Sequence, residues 1–329
     1  MRIIFMGTPE LAAHCLDGLA KAGYELPLVV TQPDRPKGRG QKLAFSPVKE
    51  KAMELGLPVF QPRRVREAEA VEFLRQIAPD VIVVAAFGQI LPKAILDIPP
   101  LGCINVHASL LPAYRGAAPI QWVLLNGERE TGITIMKMEE GLDTGPMLLQ
   151  KKLRIPDTMT GGQLYDELSS LGRSALLEAL PLWAEGRLEP IPQPAENVSY
   201  AVRLERNHEV IQWGLPATRL INQIRAFQPE PGAFTYWQGK EIKILEAQVL
   251  EPEEEAALIA QFHEKRPEQA CVPGMVIGIL RKKGLAIKTG QGALLVTCLK
   301  PVGKQPMDGG SFINGYRVET GDLFQDRTQ

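Results

Sequence analysis

Asn105, His107 and Asp143 are of types that can manage a developing negative charge and a moving proton. An amide and an imidazole donate hydrogen bonds to an oxyanion, and a carboxylate holds an imidazole in its charged form. Asn105 and His107 stand one residue apart in GCINVH (102–107), so on a strand both side chains project from one face. They lie where the apolar run gives way to ASLLPAYRGAAP, and ligands of open α/β sheets bind at the carboxyl ends of strands. Asp143 stands in Gly141-Leu142-Asp143-Thr144-Gly145, the turn expected after GITIMKM, where glycines permit close backbone approach. Taken singly, a strand-end histidine reads as a structural group bonded to backbone, and Asp143 as a turn-former. Only the joint setting points to chemistry.

Two loops strengthen that setting. Pro112 to Pro119 places Arg115 and Gly116 in a tight stretch leading into a helix expected over 117–125, which offers donors near the strand end. Phe87, Gly88, Gln89, Ile90 and Leu91 form an apolar loop after the run DVIVVAA (80–86), suited to gripping a flat heterocycle.

The elements that must position these groups are read from hydrophobic period. Apolar runs at 2–6 and 26–31 flank a helical pattern at Leu11, Ala12, Cys15, Leu16 and Leu19, a βαβ opening that predicts a parallel sheet. Runs at 80–86 and 102–107 read as buried strands, with helices expected over 46–55 and 68–77. Strands at 131–138 and 147–153 predict an antiparallel end to the sheet, and a helix from 161 to about 185 closes the domain. The stretch RLEPIPQPAENVSYA (187–201) has three prolines and no clear period, the composition of an extended linker. The expected organisation is therefore a catalytic domain over 1–188, a linker over 189–205 and a second domain over 206–329. The second holds a helix at 216–226 and short glycine-punctuated strands at 233–237, 241–249, 275–280, 285–289 and 293–299. That pattern predicts a small β-barrel of the oligonucleotide-binding (OB-like) kind. The acidic run 251–255 reads as a solvated loop or a helix start.

The chain has 329 residues, 45% hydrophobic and 23% charged, with a net charge of -1, so no whole-molecule field draws it to nucleic acid or membrane. MRIIFMGTPE begins a strand at once and lacks the pattern of a signal peptide, and no run suits a membrane helix. A cytoplasmic, monomeric protein with no membrane partner is expected. Cys15, Cys103, Cys271 and Cys298 are scattered and read as buried thiols, with no metal site expected.

Taken together, the segments resemble the folate-dependent formyltransferases, and within them the branch that acts on charged initiator tRNA. The motifs are MGTPE near the start, TQPDRPKGRGQKL (31–43), SPVK (46–49), AFGQILP (86–92), GCINVHASLLPAYRGAAPIQ (102–121), TGITIMKMEEGLDTG (131–145) and NQIRAFQPEPGAF (222–234). Coverage is nearly the whole chain. Ala108 stands where glycine is usual in the family, away from the catalytic positions. The resemblance implies an α/β, Rossmann-like catalytic domain and direct transfer of a formyl group from 10-formyltetrahydrofolate, a co-substrate, to the α-amine of methionine on initiator tRNA, for translation initiation. It implies Asn105 and His107 as oxyanion donors and Asp143 as the group that orients His107 and passes a proton through water. It also implies Ser109, Leu110, Leu111 and Pro112, together with Phe87 to Leu91, as the folate-binding walls.

The stretch QPDRPKGRGQK (32–42) carries Arg35, Lys37, Arg39 and Lys42 against one acid, Asp34, and its Pro and Gly content predicts a mobile basic loop without regular structure. By itself this is the composition of any solvated loop. By the resemblance it reaches the tRNA acceptor stem, with Arg39 at a tRNA-critical position. Arg281, Lys282, Lys283, Lys288, Lys300 and Lys304 could form a second basic patch that tracks an RNA backbone, or be solvated hairpin lysines. A formyltransferase acting on a small amine would need neither the basic loop nor the second domain. A dinucleotide-binding dehydrogenase is disfavoured, because the first turn reads G-T-P-E rather than G-x-G-x-x-G.

Overall fold

A computed structural model describes residues 1–37, 42–280 and 283–327. Arg39 of the basic loop, and Arg281 and Lys282 of the second patch, lie outside the described residues, and the side chains of Lys37 and Lys42 are likewise not described. The chain divides into two compact units. One comprises Met1–Ile120, Arg129–Ile155 and Leu164–Arg203; the other comprises Gln121–Glu128, Pro156–Gln163 and Leu204–Gln329.

The first unit is built on a seven-stranded sheet. Its order is Met147–Arg154, Glu130–Lys137, Cys103–His107, Val81–Ala85, Arg2–Gly7, Glu25–Val30, Val59–Phe60. The last five in that order pair in parallel, and the first two add antiparallel, as the sequence predicts. Val81–Ala85 is buried at every position, which is why its sequence VIVVA is continuously apolar rather than alternating. The chain leaves Arg2–Gly7 to one side first and returns to the other side with Val81–Ala85. The carboxyl ends of these two strands therefore flank a topological switch point, where such sheets open a crevice. Helices cover the sheet: Glu10–Lys21, Pro47–Glu54, Ala68–Ile77 and the longer Gly161–Ala184. Ser46 caps the second of these, its hydroxyl accepting from Lys49 N at 3.1 Å.

The second unit carries an antiparallel sheet ordered Val276–Leu280, Gly284–Lys288, Ala293–Pro301, Lys240–Val249, Phe234–Trp237, Phe324–Gln325. Its ends meet through a Met275↔Leu323 bridge, flanked by Phe324 N donating to Gly274 O and Val276 N to Asp322 O, each at 2.8 Å. The sheet is thus curled into the small barrel expected, around Trp213, Trp237, Phe312 and Phe324.

Several expectations are corrected. The basic stretch is not devoid of regular structure: Arg35–Lys37 and Lys42–Ala44 pair as a short antiparallel ribbon, since proline on an edge strand forfeits no ladder donor that faces solvent. Of the two readings of the acidic run, the helix start holds: Pro252–Lys265 carries Glu253, Glu254 and Glu255 in its first turn, where the helix dipole favours them. Cys15 and Cys103 are buried, but Cys271 and Cys298 are partly exposed. Lys288 is half-buried and pairs with Glu255 at 3.1 Å, so it is structural rather than part of an open basic surface. Among the described residues no helix is long and apolar enough to cross a membrane.

Candidate active site

Asn105 and His107 lie at the carboxyl end of Cys103–His107, register partners of Met136 and Thr134 on the neighbouring antiparallel strand. Both are buried. Asp143 comes from the turn between Glu130–Lys137 and Met147–Arg154, with φ of 51°, a left-handed conformation that Asp tolerates better than most residues. Its carboxylate accepts from Gly116 N at 2.8 Å, lies 3.5 Å from Asn105 Nδ2 and has an oxygen 3.6 Å from His107 Nδ1. The structure therefore brings the three side chains together across 38 residues of sequence.

The imidazole is defined on its other edge as well. His107 Nε2 is 3.0 Å from the carbonyl oxygen of Tyr114, which only accepts, so Nε2 carries a proton. That backbone bond is the structural role a lone strand-end histidine suggests. The other ring nitrogen, Nδ1, faces Asp143. When charged, the ring presents Nδ1–H toward the space these groups enclose. At 3.6 Å the Asp143 contact is too long to saturate that donor.

The 112–119 loop does offer donors near the strand end, and they are engaged within the protein. Gly116 N is committed to Asp143, and the buried Arg115 guanidinium donates from Nε (3.0 Å) and Nη2 (2.7 Å) to Gln193 Oε1. Gly116, at φ 120°, pairs with Ala201, and a Cβ there would stand 2.7 Å from Ala201 O, so glycine is required for this approach. Gly145 is required too: a Cβ would fall 1.9 Å from Lys137 O.

Ser109 to Pro112 is held from beneath. Thr134 Oγ1 donates to Ser109 O at 2.7 Å and accepts from Leu111 N at 3.1 Å, while Gln150 Nε2 reaches Leu111 O and Thr134 Oγ1 at 2.9 and 3.0 Å. Ser109 and Leu111 are buried; Leu110 and Pro112 are half-buried. In the other expected folate loop, Phe87 and Leu91 belong to the sheet's own core, and Gln89 accepts from Val65 N at 2.7 Å. Gly88 and Ile90 are exposed, Ile90 at 83%. Both loops leave the carboxyl ends of adjacent parallel strands.

At the switch point lies a cavity of about 510 Å³, lined by Thr8 and Pro9, Gln32 and Pro33, Phe45, Phe87 and Gly88, with Arg35 and Arg203 on its wall. Arg35 is exposed, whereas the one acid of the basic stretch is spoken for: Asp34 bonds Gln61 (2.8 Å) and Lys49 (2.5 Å), which hold its carboxyl below the ordinary value. Sequence reasoning missed Gln193, Thr134, Gln150 and Arg203. Gln193, Gln150 and Arg203 lie in none of the quoted motifs, and Thr134, although within TGITIMKMEEGLDTG, is revealed by its folded contacts alone.

A doubly wound sheet with an amide, an imidazole and a carboxylate gathered at its carboxyl edge is the frame of a group-transfer enzyme. Residues 1–180 match the formyl transferase family and residues 203–317 match the formyl transferase C-terminal domain, so the chain belongs to the formyl transferase family. It is 48% identical to the methionyl-tRNA formyltransferase of Symbiobacterium thermophilum, over 98% of this chain and 95% of that one. It is 42% identical to the methionyl-tRNA formyltransferase of Agathobacter rectalis, over 98% and 99%. Among solved structures, WlaRD, a sugar 3N-formyl transferase determined in the presence of dTDP and 5-N-formyl-THF, shares the fold with a TM-score of 0.65. It is 18% identical, over 93% of this chain and 99% of that chain.

Proposed function

We propose that this enzyme transfers the formyl group of 10-formyltetrahydrofolate to the α-amine of methionyl initiator tRNA, in the cytoplasm and without a metal. The observation that carries the reading is the Asp143 carboxylate, held by Gly116 N within 3.6 Å of both His107 Nδ1 and Asn105 Nδ2 at a strand end. Full-length similarity to methionyl-tRNA formyltransferases supports the choice of acceptor.

The chemistry follows from the donors. The neutral amine attacks the formyl carbon, and the carbonyl oxygen becomes an oxyanion. Asn105 Nδ2–H and His107 Nδ1–H, which stand beside the Asp143 carboxylate at 3.5 and 3.6 Å, stabilise it, while Tyr114 O fixes the ring from behind. The bond to the folate nitrogen then breaks. The proton that the amine loses through water to Asp143 passes on to that nitrogen, so the carboxylate is restored. No bond to the enzyme forms. The folate lies against Ser109 to Pro112 and Phe87 to Leu91, with Gly88 and Ile90 its exposed contacts and the buried members as their support. Arg35, Lys37, Arg39 and Lys42 engage the acceptor end of the tRNA, guanidinium groups binding phosphate bidentately.

The test is acceptor choice. Given 10-formyltetrahydrofolate, the protein should formylate methionyl initiator tRNA and leave free methionine and an amino-sugar nucleotide unmodified. Formylation of the sugar nucleotide in place of the charged tRNA would assign it to small-amine chemistry.

A further inference from the structure

We propose that Gln193 is a positioning residue that sets the Asp143 turn against His107, an inference that rests on the catalytic reading of Asp143 above. Gln193 follows the long helix by nine residues, in a stretch of irregular chain that composition alone reads as a linker. Its amide is used to capacity. Oε1 accepts from Arg115 Nε and Nη2 at 3.0 and 2.7 Å, and Nε2 donates to Asp143 O and Gly145 O at 2.7 and 2.8 Å. One side chain thereby ties the short strand Arg115–Gly116, whose Gly116 N grips the Asp143 carboxylate, to the backbone of Asp143 itself.

The surrounding strap fixes Gln193 in turn. Upstream, Ile191 bridges Met147 with N–H to O bonds of 2.9 and 2.8 Å; downstream, Tyr200–Ala201 pairs with Arg115–Gly116. Ser199 takes Tyr114 N on its hydroxyl and Arg115 N on its carbonyl, each at 2.9 Å. Tyr114 is the residue whose carbonyl holds His107 Nε2. The strap thus positions the partners of both catalytic groups. Asp143 has the positive φ that Asp tolerates in turns, and Gln193 adds two contacts that hold this turn, one at Asp143 O and one at Gly145 O.

The choice of amide over acid is itself informative. A glutamate here would pair more strongly with Arg115, but it would turn a carboxylate oxygen toward two carbonyl oxygens and forfeit both bonds to the 143–145 turn. Q193E therefore cuts one arm of the clamp and keeps the other.

The experiment is a double-mutant cycle on formyl transfer from 10-formyltetrahydrofolate to methionyl initiator tRNA, using Q193A, Q193E, D143A and the double variant Q193A/D143A. Misplacing a reacting group by about an ångström costs up to about a hundredfold, so Q193A and Q193E should each reduce kcat by about ten- to a hundredfold. KM for both substrates should stay within about twofold, because the Gln193 hydrogen bonds position Asp143 and do not bind substrate. In the D143A background the same Q193A change should cost less than about twofold, since groups acting as a unit are not additive. Parent-like kcat in Q193A, or an equal decrease with and without Asp143, overturns the proposal while leaving the catalytic reading intact. Parent-like kcat in D143A overturns that reading, and the proposal with it. Should Q193A fail to fold, Q193E retains the Arg115 arm and carries the same outcomes when combined with D143A.

Discussion

Replacing Asn105 by alanine separates catalysis from folding more cleanly than any other change at this site. The amide lies 3.5 Å from Asp143 Oδ1, at the outer limit of a hydrogen bond, and Asp143 keeps its stronger 2.8 Å bond to Gly116 N. Removing the long hydrogen bond costs under about 1 kcal/mol, and the small gap left at this buried position adds a similar amount. Stability should fall by about 1 to 2 kcal/mol, a drop in Tm of about 2 to 8 °C for a chain of this class. The rate suffers far more. Removing one oxyanion donor typically costs about 2.7 to 4 kcal/mol of transition-state stabilisation, or two to three orders of magnitude in kcat. Because the donor is engaged only as the carbonyl oxygen acquires charge, KM for folate and for charged tRNA should change by less than about threefold. The assay is steady-state formyl transfer with each substrate varied, beside a thermal melt of the same preparation. A kcat within about threefold of the parent, with folding intact, would refute the assignment of Asn105 to the oxyanion.

Thr134→Val should loosen the Ser109 to Pro112 loop: it strands Ser109 O and Leu111 N, at about 1 to 3 kcal/mol for each buried group left unpaired. The folate KM should rise more than the tRNA KM, and an unchanged folate KM would remove this loop from the folate site. Arg35→Ala and Arg39→Ala should each raise the KM for charged tRNA while folate binding, followed by fluorescence or calorimetry, stays as in the parent; equal weakening of both would point to a different role for the basic stretch. Burial pushes the Cys15 and Cys103 thiols up to about 12 from an ordinary 9.0. The unfolded chain ionises them first, so the stability they contribute is full below pH 9 and disappears as pH rises from 9 to 12. A thiol reagent at about pH 8, below the ordinary thiol pKa, should label Cys271 and Cys298 in the native protein and all four cysteines in denaturant; native labelling of Cys15 would contradict its burial.

Much of this was legible in the sequence for identifiable physical reasons. Buried parallel strands such as VIVVA announce themselves by continuous apolar character, and the helix Ala68–Ile77 by its period, so the sheet and its antiparallel end follow from pattern alone. Asn105 and His107 were legible because the two-residue repeat of a strand fixes their common face. The ribbon Arg35–Lys37 with Lys42–Ala44 was hidden by its prolines and glycines, which argue for a loop unless pairing elsewhere compensates. The helix after Glu251 was legible only as one of two readings, because its first-turn charges sit where the dipole favours them but carry no apolar period. Gln193 and Thr134 were invisible for a deeper reason. Their partners are backbone atoms and the side chains of Arg115 and Gln150, all distant in sequence, and no local pattern encodes a contact across 50 residues such as Gln193 Nε2 to Asp143 O.

The central claim is formyl transfer to one particular charged tRNA, and the most direct measurement compares two acceptors at saturating 10-formyltetrahydrofolate. Methionyl initiator tRNA should be formylated with many turnovers per enzyme, and methionyl elongator tRNA, bearing the same amine on a different acceptor stem, should be formylated far more slowly. Formylation of neither would contradict the account.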